Sequence, residues 1–303
     1  MLRKHTTTTV DNRLDPGPGL TEQVVELPGG RNIRTILAGE GSGPLVVFEA
    51  GMSAPAASWI HTQREISEHG RTLSYDRAGY GGSDVDRRDR TLEHLVDDLT
   101  AVLDQMGETG PVVLVGHSWA GPIIRLFADR HPDRVAGLVF VDATVAETMS
   151  PRNARLVALS FRIMAMLARA GGQRLIERMT LQHGFAPEIS ETETAIMLRD
   201  YACARAMRAG VREARQVAAA LPTLRRLQAA GTPDVPTVCL QGGRIDRGMA
   251  TTRPLLNQTA AELMAAAPSG RLVVAEQAGH LIPQECPAAV RSAILDVLEA
   301  VQE

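Results

Sequence analysis

The sequence predicts an α/β protein with a mainly parallel sheet and a helical insertion. Three observations carry this. Short apolar runs alternate with segments of helical periodicity. Several of the runs are continuously apolar, as strands buried on both faces require. Between about Val145 and Gln228 the strand signal stops, and Ala, Arg, Leu and Met dominate.

The elements follow in order. Residues 1–20 are polar, carry Asp15-Pro16-Gly17-Pro18-Gly19 and read as a flexible leader. Gln23–Leu27 and Ile33–Leu37 read as paired strands around Pro28-Gly29-Gly30, and Pro44–Phe48 and Arg71–Tyr75 as further strands. In 91–105 the apolar positions Leu92, Leu95, Val96, Leu99, Val102 and Leu103 have helical spacing. Strand, helix and strand follow at 111–115, 120–129 and 135–141. Strands return at 236–240 and 271–275, and an amphipathic helix at 288–301 ends the chain. The expected division is a core of 21–144 and 232–303 around a helical cap of 145–231.

Composition narrows the function. The 303 residues are 44% hydrophobic and 22% charged, with a net charge of −3. That excludes wholesale disorder and offers no basic domain for nucleic acid. Cys203, Cys239 and Cys286 lack the paired spacing of a disulfide framework or a cysteine zinc site. The N-terminal residues run into threonines rather than the apolar stretch of a secretory signal. No run approaches the roughly 18 apolar residues of a membrane span. A cytoplasmic protein with no membrane or nucleic-acid partner is expected.

The chemistry concentrates at Val112-Val113-Leu114-Val115-Gly116-His117-Ser118-Trp119-Ala120-Gly121. A buried strand running through Gly-x-Ser-x-Ala-Gly into a helix is the context of a nucleophile elbow, with small residues where the sharp turn brings backbones together. A serine nucleophile needs a base and an orienting acid. His280, in Ala278-Gly279-His280 after the last strand, is the candidate base; His117 points away from the serine and reads as structural. For the acid, Asp246 follows Leu240-Gln241-Gly242-Gly243-Arg244-Ile245, and this strand–glycine–acid arrangement is preferred over the competitor Asp142 at the end of 135–141. The oxyanion donors expected are the backbone N–H groups of Trp119 and of Met52, the latter in Glu49-Ala50-Gly51-Met52-Ser53.

These ordered motifs, with Tyr75-Asp76-Arg77-Ala78-Gly79-Tyr80-Gly81-Gly82-Ser83-Asp84, resemble the α/β-hydrolase superfamily from about Glu22 onward. The departures are Ala50-Gly51 where the family commonly has His-Gly, and Ala120 in the elbow. The resemblance implies a doubly wound eight-stranded sheet with a cap between its sixth and seventh strands. It also implies a triad of Ser118, Asp246 and His280 needing no metal or organic cofactor. An aspartate at position 118 would point to epoxide or haloalkane chemistry; serine points to acyl transfer on a small-molecule ester. Other chemistries open to the same triad are lactone, perhydrolase and carbon–carbon bond cleavage; a non-catalytic binding protein is the alternative of another class.

The cap holds six of the eleven methionines, which suit an adaptable apolar pocket or simple helix packing. From Pro151 to Gly231 there are 13 Arg and no Lys against five Glu and one Asp, an excess of +7. Such a lid could grip an ester bearing a free carboxylate, or its arginines could form a solvated face.

Overall fold

The computed structural model describes residues 13–302. Eight strands form one sheet: β1 (Leu20–Leu27), β2 (Arg31–Ala38), β3 (Val46–Glu49), β4 (Thr72–Tyr75), β5 (Val112–His117), β6 (Val135–Val141), β7 (Thr237–Gly242) and β8 (Gly270–Ala275). Their spatial order is β1-β2-β4-β3-β5-β6-β7-β8. Only β2 runs against the rest. The interior strands are buried throughout: every residue of β3, β4, β5 and β7 is buried. At the edge, β1 exposes part of its length to solvent, as an antiparallel outer strand can.

Helices among the described residues cover both faces. They are α1 (Ile60–Ile66), α2 (Leu92–Gln105), α3 (Ala120–Arg130), α4 (Pro151–Arg169), α5 (Gln173–Thr180), α6 (Glu191–Asp200), α7 (Ala204–Ala214), α8 (Val217–Ala229), α9 (Thr252–Ala266), α10 (Ile282–Glu285) and α11 (Pro287–Gln302). The helix read from sequence at 91–105 is α2; the side chain of Thr91 caps it by accepting from the His94 N–H. Its six periodic apolar residues lie in the core beneath the sheet. The helices α4 to α8 all fall between β6 and β7, and α4 to α7 share a small core of their own around Ala165, Ile176, Met197 and Met207. No helix among the described residues is long and apolar enough to cross a membrane.

The chain leaves β3 for β4 on one side and returns to β5 on the other. The carboxyl ends of β3 and β5 therefore flank a crevice where the winding reverses, the usual place for a ligand in such a sheet. The loop beginning Ala50-Gly51-Met52 and the turn at Ser118 both open there.

The expected leader needs one correction. Residues 1–12 lie outside the described residues, but 13–19 are laid along the fold. Leu14 is 5% exposed and packs with Leu20, Ile36, Ala56 and Ile60. Its N–H donates to the Glu22 carboxylate at 2.6 Å. Leu14, read in sequence as part of a polar stretch, anchors this segment together with hydrogen bonds from Arg64 to Pro16 O and Pro18 O and from Arg199 to Arg13 O. Leu14→Ala is expected to cost about 2 kcal/mol in urea unfolding, near the lower bound for a buried leucine; a free segment would show no loss.

Candidate active site

The elbow is built by close approach. Ser118 follows β5 directly and has φ of +55°, in the left-handed region that costs a non-glycine residue strain. A Cβ on Gly116 would lie 3.0 Å from the Ala120 carbonyl, and one on Gly121 would collide with the Ala143 side chain. Only glycine fits either place, whereas Ala120 is fully buried without occupying them.

Ser118 Oγ lies 3.0 Å from His280 Nε2, and His280 Nδ1 lies 2.6 Å from Asp142 Oδ2. The carboxylate at the ring is thus Asp142. Asp246, expected in that place, accepts instead from the His280 backbone N–H at 2.8 Å and from Arg244 Nε at 3.0 Å. The reason lies in the two strand ends. Asp142 directly follows β6 with φ of +43°, and its N–H donates to Leu240 O at 2.8 Å, which holds the residue against β7. The loop after β7 curls back, with Gly243 and Arg244 N–H donating to Ala275 O and Ala278 O. That carries Asp246 to the backbone of the histidine loop rather than to its ring.

Asp142 is buried, which by itself would push its pKa up. The His280 ring and the Arg253 guanidinium outweigh burial and hold the carboxyl down at about 2. Arg253, on α9, grips both carboxylate oxygens, and Gly242 N–H donates to Oδ1 at 3.0 Å. Arg253 was not legible in the sequence; an arginine inside an ordinary helix carries no local mark of its partner.

His117 proves to be a strut. Its Nε2 donates to the backbone carbonyl of His280 at 2.8 Å. Burial and the neighbouring His280 charge push its pKa down to about 3.

Opposite the elbow, a Cβ on Gly51 would come within 3.5 Å of Ser118 Cβ, so the Gly51–Met52 peptide borders Ser118. The buried Arg77 donates to the carbonyls of both Ala50 and Gly51, the latter at 3.0 Å from Nη2. All peptides among the described residues are trans, so a carbonyl and the following N–H point in opposite directions. Holding the Gly51 carbonyl aims the Met52 N–H away from Arg77. Arg77 is balanced by Glu49 at 2.6 Å and by Glu213 of α7 at 2.8 Å, both buried. The Asp76-Arg77 motif is therefore structural on both sides, since Asp76 pairs with Arg34 at 2.5 Å.

A cavity of about 20 Å³ beside the site is lined by Gly51, Trp59, His117, Met197, Tyr201 and Leu281 among others, and no arginine. None of the 13 arginines in 151–231 is buried. Arg205 and Arg212 reach core carbonyls at Ser83, Asp86 and Arg88. The basic excess of this insert is thus carried by exposed and half-buried side chains.

The sequence model of the Alpha/beta hydrolase family matches residues 46–293, and the chain belongs to that family. Epoxide hydrolase B of Mycobacterium tuberculosis (strain ATCC 25618 / H37Rv) is 37% identical over 107 residues, 34% of this chain and 30% of that protein. The matched stretches span less than half the length of such curated relatives. A thermophilic esterase from Thermogutta terrifontis superposes with a TM-score of 0.71 at 24% identity, over 93% of this chain and 100% of that one. An enol-lactonase from Burkholderia xenovorans LB400 does so with 0.71 at 22%, over 91% and 100%. At those identities the likeness concerns the fold.

The His117 shift has a measurable consequence. The unfolded imidazole takes up a proton below its ordinary 6.5, whereas the folded one resists until about 3. The unfolded state binds more protons in that window, so stability falls as pH falls through it. His117→Gln keeps a donor for His280 O and is expected to flatten stability against pH in this range. Parallel urea titrations of the two proteins between about pH 4 and 7 test this; equal slopes would contradict it.

Proposed function

We propose that the protein is a serine hydrolase of carboxylic esters acting through an acyl-enzyme. The observation that carries the reading is the unbroken chain Ser118 Oγ to His280 Nε2 to Nδ1 to Asp142, at 3.0 and 2.6 Å. In this reading His280 Nε2 takes the serine proton as Oγ attacks the carbonyl carbon, and then delivers it to the leaving alkoxide. Asp142, ionised at any ordinary pH, fixes the tautomer with the proton on Nδ1 and stabilises the imidazolium. The N–H groups of Met52 and Trp119 donate to no protein acceptor among the described residues, which leaves both for the oxyanion. Water repeats the sequence and releases the acid.

Residue identity weighs against the epoxide chemistry named for some relatives. A carboxylate that opens an epoxide forms an ester, which water can cleave. Ser118 would form an ether, which this machinery cannot cleave. None of the insert's arginines is buried, which favours an acyl group without a second carboxylate over a monoester that carries one.

Two tests follow. Among nitrophenyl esters, short neutral acyl chains should be cleaved faster than matched acids with a terminal carboxylate; a preference for the acids would restore the arginine lid. Ser118→Ala should lower turnover by about a thousandfold or more, and Asp142→Asn by about the same order. Asp246→Asn, which reaches the histidine loop through its backbone and not the His280 ring, should lose about tenfold, the scale of a small misplacement. A folded Asp246→Asn enzyme worse than Asp142→Asn would return the acid role to Asp246.

A further inference from the structure

The outward face of α4 is unlike that of any other helix here. Leu156, Leu159, Ile163 and Met166 are 56%, 50%, 46% and 63% exposed. Their spacing of three, four and three residues aligns them in one stripe. Leu175 and Met179 on α5, each at least half exposed, add to the exposed apolar surface of the insert. Arg155, Arg162 and Arg169 recur every seven residues and so border the stripe along one edge, and α4 contains no Asp or Glu. Arg155 and Arg162, together with Arg215, also line a groove of about 220 Å³ whose remaining walls come largely from Ala158, Leu159 and Ala218. Among the described residues no carboxylate pairs with any of these four arginines.

We propose that this face docks on an anionic lipid surface. The apolar stripe enters the boundary between headgroups and acyl chains, and the groove takes a lipid phosphate between its three guanidiniums. The pattern is that of a helix lying in a membrane plane: apolar on one strip, basic beside it, and about 28 Å long for 19 residues. One further feature selects this occupant. Pairing with a second copy about a two-fold axis would bring one unpaired arginine row near another. The opposite face of α4 packs on α7, with Phe161 against Gly210, so docking would not require the insert to open. The proposal stands independently of the ester-hydrolase reading.

The test is co-sedimentation of the whole chain with vesicles of phosphatidylcholine alone or mixed with phosphatidylglycerol, at low and high salt. Wild type should partition onto the mixed vesicles and come off as salt screens the charges. Replacing Arg155, Arg162 and Arg215 by Gln should weaken partitioning about fivefold per arginine. Leu159→Ser with Ile163→Ser should weaken it at every salt concentration. All these positions are at the surface, so circular dichroism and the thermal midpoint should stay at wild-type values. Equal binding to both vesicle types, or to neither, would overturn the proposal. So would a dimer in sedimentation velocity that Ile163→Ser dissolves, which assigns the face to a second copy. Binding of inorganic phosphate or an acidic peptide without vesicle binding would likewise overturn it.

Discussion

Much of the molecule converges on one carboxylate kept ionised in a dry place. Asp142 has almost no contact with solvent, yet it receives His280, Arg253 and the Gly242 N–H. Those donors come from the histidine loop, from α9 and from the end of β7. The residue itself follows β6, next to the strand that Ser118 follows. Removing any donor would leave a buried charge short of partners, a loss of several kcal/mol in comparable cases. The carboxylate therefore fixes the mutual placement of three loops, and the imidazole inherits that placement. Asp246 supports the same histidine from behind, through its backbone, so two acids share work that sequence reasoning had assigned to one.

A second buried cation organises the other wall. Arg77 ties the loop after β3 to Glu213 of α7, while Arg34 joins Asp76 to Asp200 at the end of α6. Each guanidinium thus bridges the sheet layer and the helical insert. The forked geometry of arginine makes this possible, because one planar group can serve carbonyls and two carboxylates at once. The loop bordering the serine is consequently held by groups drawn from both parts of the chain.

How far the sequence was legible follows from what each signal depends on. Interior strands such as β3 and β5 were readable because burial on both faces demands a local run of apolar residues; β6 was read as 135–141, the range it occupies. Ser118 was readable because the elbow imposes small neighbours within a few positions. His280 was readable from its place after the last strand. The acid was not. Choosing between Asp142 and Asp246 turns on which carboxylate faces the ring. That is decided by a left-handed residue without glycine and by an arginine far along the chain. The basic excess of the insert was countable, but a count has no direction, and none of the arginines is buried. Leu14 was missed because one anchoring side chain makes no pattern.

The pairing of Arg77 with Glu213 and of Arg34 with Asp200 bears on how the molecule comes apart. An insert of five helices with its own small core could melt first, like a separate folding unit. Here its departure would strand two arginines and their carboxylates in places that water reaches poorly while the sheet remains folded. A half-open state is therefore penalised more than either the intact or the fully unfolded chain. Insert and sheet are coupled into one cooperative unit, and heat should dismantle them in a single transition rather than two.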